Sequence, residues 1–372
     1  MSNKGIYLAF DIGASSGAKL AIFNSSTTPL SPPEVCAGEY NENFDSFSAD
    51  LLAGADSMLE SLGKSRKDLA GIGVASAGIL SSDGGFKLFH NRPQYNGYNL
   101  RRTLEEEFGV PAAIANDADA GGLAEWSVLK LELLYWVFGG GWGGVWIDKS
   151  GAIRYPSTDW DGRDESLHYS NEPGYSIGID LWKLRSLFSE VGASFELFER
   201  QLQDDQDLPE DSLIGPGGNP ETMRAEVILS GPGRCRLFRA VVGNDDFYEN
   251  FLDIHERTEL TDPAVAGAHI SKLSRMRVES AVSTDRLYGK VLAEATRILL
   301  KQSEADGLPP GAPICLGGKP SYALPYFGPS TQRILGKSGF MNYLRPSVID
   351  ERGSNANLVG AAELGRRAAR GG

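Results

Sequence analysis

The stretch that decides the fold is Ile6-Tyr7-Leu8-Ala9-Phe10-Asp11-Ile12-Gly13-Ala14-Ser15-Ser16-Gly17, followed at once by Ala18 to Phe23. An apolar run enters a tip of small residues, and Leu20 and Ile22 then recur with period two, which predicts a β-hairpin. Small tip residues let a phosphate approach backbone N–H groups, and Ser15 and Ser16 add hydroxyl donors. One such turn alone is more often structural than ligand-binding. A second changes the balance: Leu134 to Phe138 reads as a strand, Gly139 to Gly144 as a glycine turn, and Val145 to Ile147 as a returning strand. This turn also fits Gly139-x-Gly141-x-x-Gly144, but a strand follows it rather than a helix, so a dinucleotide fold is not indicated. The P-loop signature is absent from the chain.

Outward from the hairpins, helical and strand periods alternate. Leu51, Leu52, Ala55, Met58, Leu59 and Leu62 recur at helical spacing, Gly71 to Ala75 is a short buried strand, and Leu100 to Phe108 is a helix leading into a strand at Val110 to Ala115. Leu181 to Val191 and Tyr288 to Gln302 are further helices, Ile314 to Leu316 a strand, and Ala356 to Arg367 a final helix with Ser354 and Asn355 as candidate caps. Gln203 to Pro220 is acidic and rich in Pro and Gly, so an exposed insertion is expected there. The fold class is α/β.

The chain has 372 residues, 41% of them apolar, enough for a large core and about two domains. Its net charge of −13 disfavours binding to a nucleic-acid backbone. No apolar run approaches the ~20 residues that span a bilayer, and none near the start suits a signal peptide, so a cytoplasmic protein without membrane partners is expected. Cys36, Cys235 and Cys315 lie too far apart for a metal clip and are odd in number, and His90, His168, His255 and His269 have no ligand spacing. Trp142 and Trp146 are read as core residues rather than sugar-stacking rings.

The blocks DIGASSG at 11–17, AIANDADAGGLAE at 113–125, GGGWGG at 139–144, NEPG at 171–174, EVILSGPG at 226–233 and LGGKPS at 316–321 fall in one order. As a set the chain resembles a sugar kinase of the actin/hexokinase/Hsp70 superfamily, most nearly the bacterial glucokinases and their repressor/ORF/kinase (ROK) relatives. EVILSGPGRCRLFRA at 226–240 is the most glucokinase-like stretch, and GAAELGRRA at 360–368 resembles the closing helix of that family. The segments 24–69 and 185–221 match nothing in that pattern.

The resemblance implies two actin-like (ribonuclease H-like) lobes around a central cleft, with 1–115 plus 350–372 as the small lobe and 116–349 as the large one. It implies ATP and Mg²⁺ as cofactors and a hexose or amino-hexose as acceptor. Asp11 would hold Mg²⁺ through water. Gly13, Ser15 and Ser16 would contact phosphates, as would Gly139, Gly140 and Gly141, while Gly231, Gly317 and Gly318 would line the nucleotide. Asn91, Asn116, Asp117, Glu172 and Glu226 would contact the sugar, with Asp117 as catalytic base. Chemistry agrees, because a sugar hydroxyl attacking phosphorus needs a proton acceptor within hydrogen-bond reach. The plain alternative for Asn116-Asp117 is a helix N-cap. Asp119 reads as a complement to the helix dipole, and Lys319 as a solvated lysine at a helix start.

Three departures from the family pattern bear on function. Gly140 stands where relatives carry a hydroxyl residue in the second phosphate turn. Tyr175 stands where they carry a sugar-touching histidine. Gly217 to Arg224 replaces the cysteine-rich zinc segment without a Cys or His, so no zinc is expected. Two readings follow: an ATP-dependent sugar kinase, and a catalytically weakened sugar-binding relative acting as a sensor or structural protein. With the phosphate hairpin opening at Ile6, no DNA-binding region is expected before it. A homodimer is left open.

Overall fold

The computed structural model describes residues 5–13, 17–38, 43–89, 92–154, 172–204, 208, 213–243 and 263–371. It is α/β throughout and divides into two compact units, each with its own five-stranded sheet. The first unit comprises Met1–Glu132, Ile147–Ile153 and Val348–Gly372; the second comprises Leu133–Trp146 and Arg154–Ser347.

In the first unit the strands are β1 (Ile6–Ile12), β2 (Ala18–Phe23), β3 (Glu34–Ala37), β4 (Leu69–Ser76), the small hairpin β5 (Ile79–Leu80) and β6 (Phe86–Leu88), and β7 (Ala112–Asn116). The main sheet runs β3-β2-β1-β4-β7. β1 and β2 form the expected hairpin, antiparallel, closed by Gly13 N–H donating to the Gly17 carbonyl at 3.0 Å. β1, β4 and β7 are parallel, with Asp11, Ala75 and Ala115 in one register. Every residue of β1 is buried, as befits a strand covered on both faces. The helix Phe44–Ser61 covers one face with Phe47, Leu51, Ala55 and Met58, and Asn43 caps it by accepting the Ser46 N–H.

The closing helix, Ala356–Ala368, is buried from Leu358 to Gly365. It lies against β4 and against the helix Asp117–Leu129 at backbone distance. A methyl group added to Gly73 would stand 1.7 Å from the Ala361 carbonyl oxygen, and one added to Gly360 would stand 1.8 Å from that of Ala120. This contact groups the helix Asp117–Leu129 with the first unit, beyond the lobe boundary expected at 115. Glu125, fully buried on that helix, accepts the Val348 and Ile349 N–H groups at 3.1 Å each.

The second unit contains β8 (Leu133–Phe138) and all but the last residue of β9 (Trp142–Ile147), the second hairpin, then the last residue of β10 (Ile153–Arg154), and β11 (Gly178–Asp180), β12 (Thr222–Arg224), β13 (Pro313–Gly317) and β14 (Tyr343–Pro346). Its main sheet runs β10-β9-β8-β13-β14. β9 begins at Trp142 rather than Val145, so the turn is only Gly139 to Gly141; Trp142 packs edge-on against Trp136 and flat on Phe138, which draws it into the strand. Trp142 and Trp146 are core residues, as expected. The long helix runs Glu279–Ala305, longer than the apolar period alone indicated. Its extra N-terminal turns are held by a buried ion pair, Asp285 with Arg234 at 2.7 Å, to which Ser274 also donates. Such a pair adds little net stability but is costly to break. The expected insertion at 203–220 falls partly outside the described residues; Leu213 to Pro220 within it are mostly exposed.

Gly360→Ala should lower the unfolding free energy by about 2 kcal/mol or more through overpacking against Ala120. Gly336→Ala, on the exposed face of the helix Leu324–Lys337 with open space around it, should leave it unchanged or raise it by about 0.5–1 kcal/mol. Urea unfolding of both variants checks the pair; equal effects would contradict the backbone contact.

Candidate active site

Parallel strands end their backbone hydrogen bonding at the carboxyl edge, where side chains are free to face a ligand. On that edge of the first unit stand Asp11 near the end of β1, Asn116 at the end of β7, and Asp117 as the first residue of the following helix. Asn116 is a helix cap, as the plain reading had it: its Oδ1 accepts the Ala118 N–H at 2.9 Å, and its Nδ2 donates to the Gly78 carbonyl at 3.2 Å. One amide hydrogen remains, so capping and ligand binding are compatible.

The Asp117 carboxyl is pushed up to about 6, first by burial and then by the nearby Asp11 charge, with the Ala118 N–H opposing. A carboxylate held partly protonated near neutrality is tuned for proton transfer. Asp119, one step along the same helix, is buried in its first turn, where its charge complements the dipole.

Asp11 is nine-tenths buried, and each of its oxygens accepts one neutral amide: Asn355 Nδ2 to Oδ2 at 2.9 Å, Asn357 Nδ2 to Oδ1 at 3.0 Å. Sequence reasoning took Asn355 only as a helix cap, which it also is, and missed Asn357 altogether. The two Asn residues flank Ala356 and carry no motif of their own. Among the described residues no group of three or more His, Cys, Asp or Glu gathers to hold a metal ion. A single hard carboxylate with its charge uncancelled and a lone pair left on each oxygen still fits Mg²⁺, which keeps several waters and takes its remaining ligands from phosphates. Gly13 sits beside this carboxylate in the chain, at the base of the first tip; Ser15, Ser16 and Asn91 lie outside the described residues.

The second unit gathers another set around its own glycine turn. Gly139 and Gly140 are exposed, and the Gly139 N–H is used inside the turn, donating to the Gly141 carbonyl. The Gly139 carbonyl accepts the Gly231 N–H at 2.9 Å, so the first residue of the helix Gly231–Val242 spends its amide on the turn. Gly318 lies close behind the turn, against the Phe138 carbonyl, and Gly317 ends β13.

Glu226 occupies the space beside Gly141: a methyl group there would meet Glu226 Oε2 at 2.5 Å. The same oxygen accepts the Trp142 N–H at 3.3 Å. Burial raises the Glu226 carboxyl above its ordinary range, while the Trp142 N–H, Arg224 and Arg236 pull it down. Glu172 precedes the short helix Pro173–Ser176 beside it, and Tyr175 is the third residue of that helix. Arg224, which the sequence did not single out, is buried beneath them: its guanidinium stacks on the Tyr175 ring at 3.5 Å and donates to the Tyr175 carbonyl at 2.8 Å.

Residues 7–150 match the model of the ROK family, a range that takes in the blocks at 11–17, 113–125 and 139–144 and agrees with the resemblance they carry. A ROK hexokinase from Thermus thermophilus superposes with a TM-score of 0.62 at 18% identity, over 99% of this chain and 100% of that one. A ROK family glucokinase from Streptomyces griseus, in complex with glucose and AMPPNP, gives a TM-score of 0.61 at 18% identity over 98% and 100%. A ROK family transcriptional regulator, a homolog of the E. coli MLC protein, gives 0.65 at 15% identity over 98% of this chain and 78% of that one. These likenesses establish the fold, two α/β units, for kinase and regulator alike. No curated protein matches the sequence. No helix among the described residues is long and apolar enough to cross a membrane.

Folded Asp117 binds its proton near pH 6, whereas an ordinary aspartate does so near 3.8. Its contribution to stability is therefore fully present below about pH 4 and lost as pH rises through 6. Asp117→Asn escapes that loss, so it should melt above wild type at pH 8, with the gap closing at pH 4. A gap independent of pH in calorimetric scans would contradict the desolvated carboxyl.

Proposed function

We propose that this chain, which matches the ROK family model over residues 7–150, is an ATP-dependent kinase that phosphorylates a hydroxyl of a hexose or amino-hexose. The observation that carries the reading is Asp117, a desolvated carboxyl at the carboxyl edge of the first sheet beside Asp11. In the proposed reaction Asp117 takes the proton of the sugar hydroxyl as its oxygen bonds to the γ-phosphorus, and the bond to the β–γ bridging oxygen breaks to release ADP. Mg²⁺, when bound, neutralises charge on the phosphates. Asp11 would hold it through water, and the amides of Gly140 and Gly141 would face the phosphates.

Asn116, Glu172 and Glu226 would orient the sugar, with Asn91 as a further contact. Tyr175 in place of a histidine, stacked on a buried arginine, supports an acceptor other than plain glucose. Gly231, Gly317 and Gly318 would line the nucleotide. The second reading, a sugar-binding relative with weakened turnover, draws on Gly140, which offers no hydroxyl to the phosphates. Sugar binding without ADP release would favour it.

An ATP-consumption screen over glucose, mannose, fructose, glucosamine, N-acetylglucosamine and N-acetylmannosamine tests the proposal, and at least one sugar should be turned over. With that sugar, Asp117→Asn should lose at least ~10²-fold in kcat, while Asp119→Asn stays within a few-fold. The wild-type kcat/KM should fall as pH drops through about 6, because the base acts deprotonated. Zinc-selective chelation should leave the rate intact. Nucleotide binding without turnover of any sugar, or equal losses in the two aspartate variants, would sink the assignment.

A further inference from the structure

We infer that Asn355 and Asn357 are positioning residues for Asp11 and, through it, for the magnesium form of the nucleotide, an inference that rests on the kinase reading above. The geometry is specific. Two amides from the first turn of the closing helix meet one carboxylate, one on each oxygen, at 2.9 and 3.0 Å. Asn355 has no freedom to turn its amide over, because its Oδ1 caps the helix by accepting the Leu358 N–H at 3.0 Å, so its Nδ2 must face Asp11. Asn357, two residues on, faces the other oxygen, which only its N–H can satisfy.

The choice of amides matters chemically. A lysine or arginine here would hold Asp11 equally well but would cancel its charge and compete with a divalent cation. Neutral donors fix the plane of the carboxylate, leave its charge intact, and leave one lone pair on each oxygen for metal-bound water. Groups behind a metal-holding side chain in this way set its orientation and metal affinity. Because both come from the helix that packs on β4 and on the helix bearing Asp117, they also tie that orientation to the docking of the closing helix.

The test separates positioning from mere helix docking. Calorimetry measures AMPPNP binding with Mg²⁺ and with EDTA for the wild type, Asn357→Ala and Asn355→Ser. Alanine is favourable within a helix, and serine keeps the cap while its hydroxyl is too short to reach Asp11, so both variants should fold, as melting temperatures will report. The gain in AMPPNP affinity conferred by Mg²⁺ should shrink by about 10-fold in each variant, with the EDTA value unchanged. A Mg²⁺-dependent gain equal to wild type in both variants, whatever their melting temperatures, would overturn the inference. A wild type that binds no AMPPNP in either buffer would instead remove the kinase reading, and the positioning role with it.

Discussion

Backbone lies directly against backbone where the closing helix meets β4 and the helix Asp117–Leu129, and the first unit depends on that approach. It is open only to glycine at 73 and 360, since a single methyl would stand less than 2 Å from a carbonyl oxygen. Two consequences follow from the same contact. The first turn of the closing helix is brought to the carboxyl edge of β1, where its two asparagines grip Asp11. The helix that begins with Asp117 is fixed at the end of β7, so both carboxylates share one edge of one sheet. Packing alone thus produces the electrostatic situation from which the chemistry is argued.

That situation is unfavourable for folding. A desolvated carboxyl near a second one resists ionisation, so ionising Asp117 in the folded state costs free energy. Apolar burial along the closing helix, in which Leu358, Val359 and Leu364 each contribute roughly 1.5–3 kcal/mol, offsets it. Sites that trade stability for function in this way are common. The second unit shows a related arrangement: Glu226 is raised by burial yet fills the space that Gly141 leaves, so the glycine turn and a candidate sugar ligand are one packed assembly. Arg224, stacked on the Tyr175 ring, adds a charge that holds the Glu226 carboxyl down.

Much of this was legible in the sequence because it rests on local signals. The two hairpins declare themselves through period and tip glycines, the helix Leu100–Phe108 through its period, and the closing helix through its period and the cap at Asn355. Asn116 was legible in both of its readings, and the structure realises the cap. What escaped depends on long-range packing. Asn357 looks like any polar residue in a first helical turn, and only the fold brings it across 346 positions to Asp11. Arg224 has no motif, and its burial follows from the Tyr175 ring above it. The early start of β9 was hidden because glycines at 143 and 144 read as turn, whereas the neighbouring tryptophans hold them in a strand.

The account turns on Asp117 being desolvated beside Asp11, and the titration of that one carboxyl tests it most directly. In protein labelled with ¹³C at the aspartate carboxyls, with the Asp117 signal assigned by its loss in Asp117→Asn, wild-type Asp117 should titrate at about 6. In Asp11→Asn it should titrate lower, yet still above the ordinary 3.8, because burial is the larger cause and the neighbouring charge the smaller. An Asp117 that titrates at the ordinary value in wild type, or that does not respond to Asp11→Asn, would contradict the account.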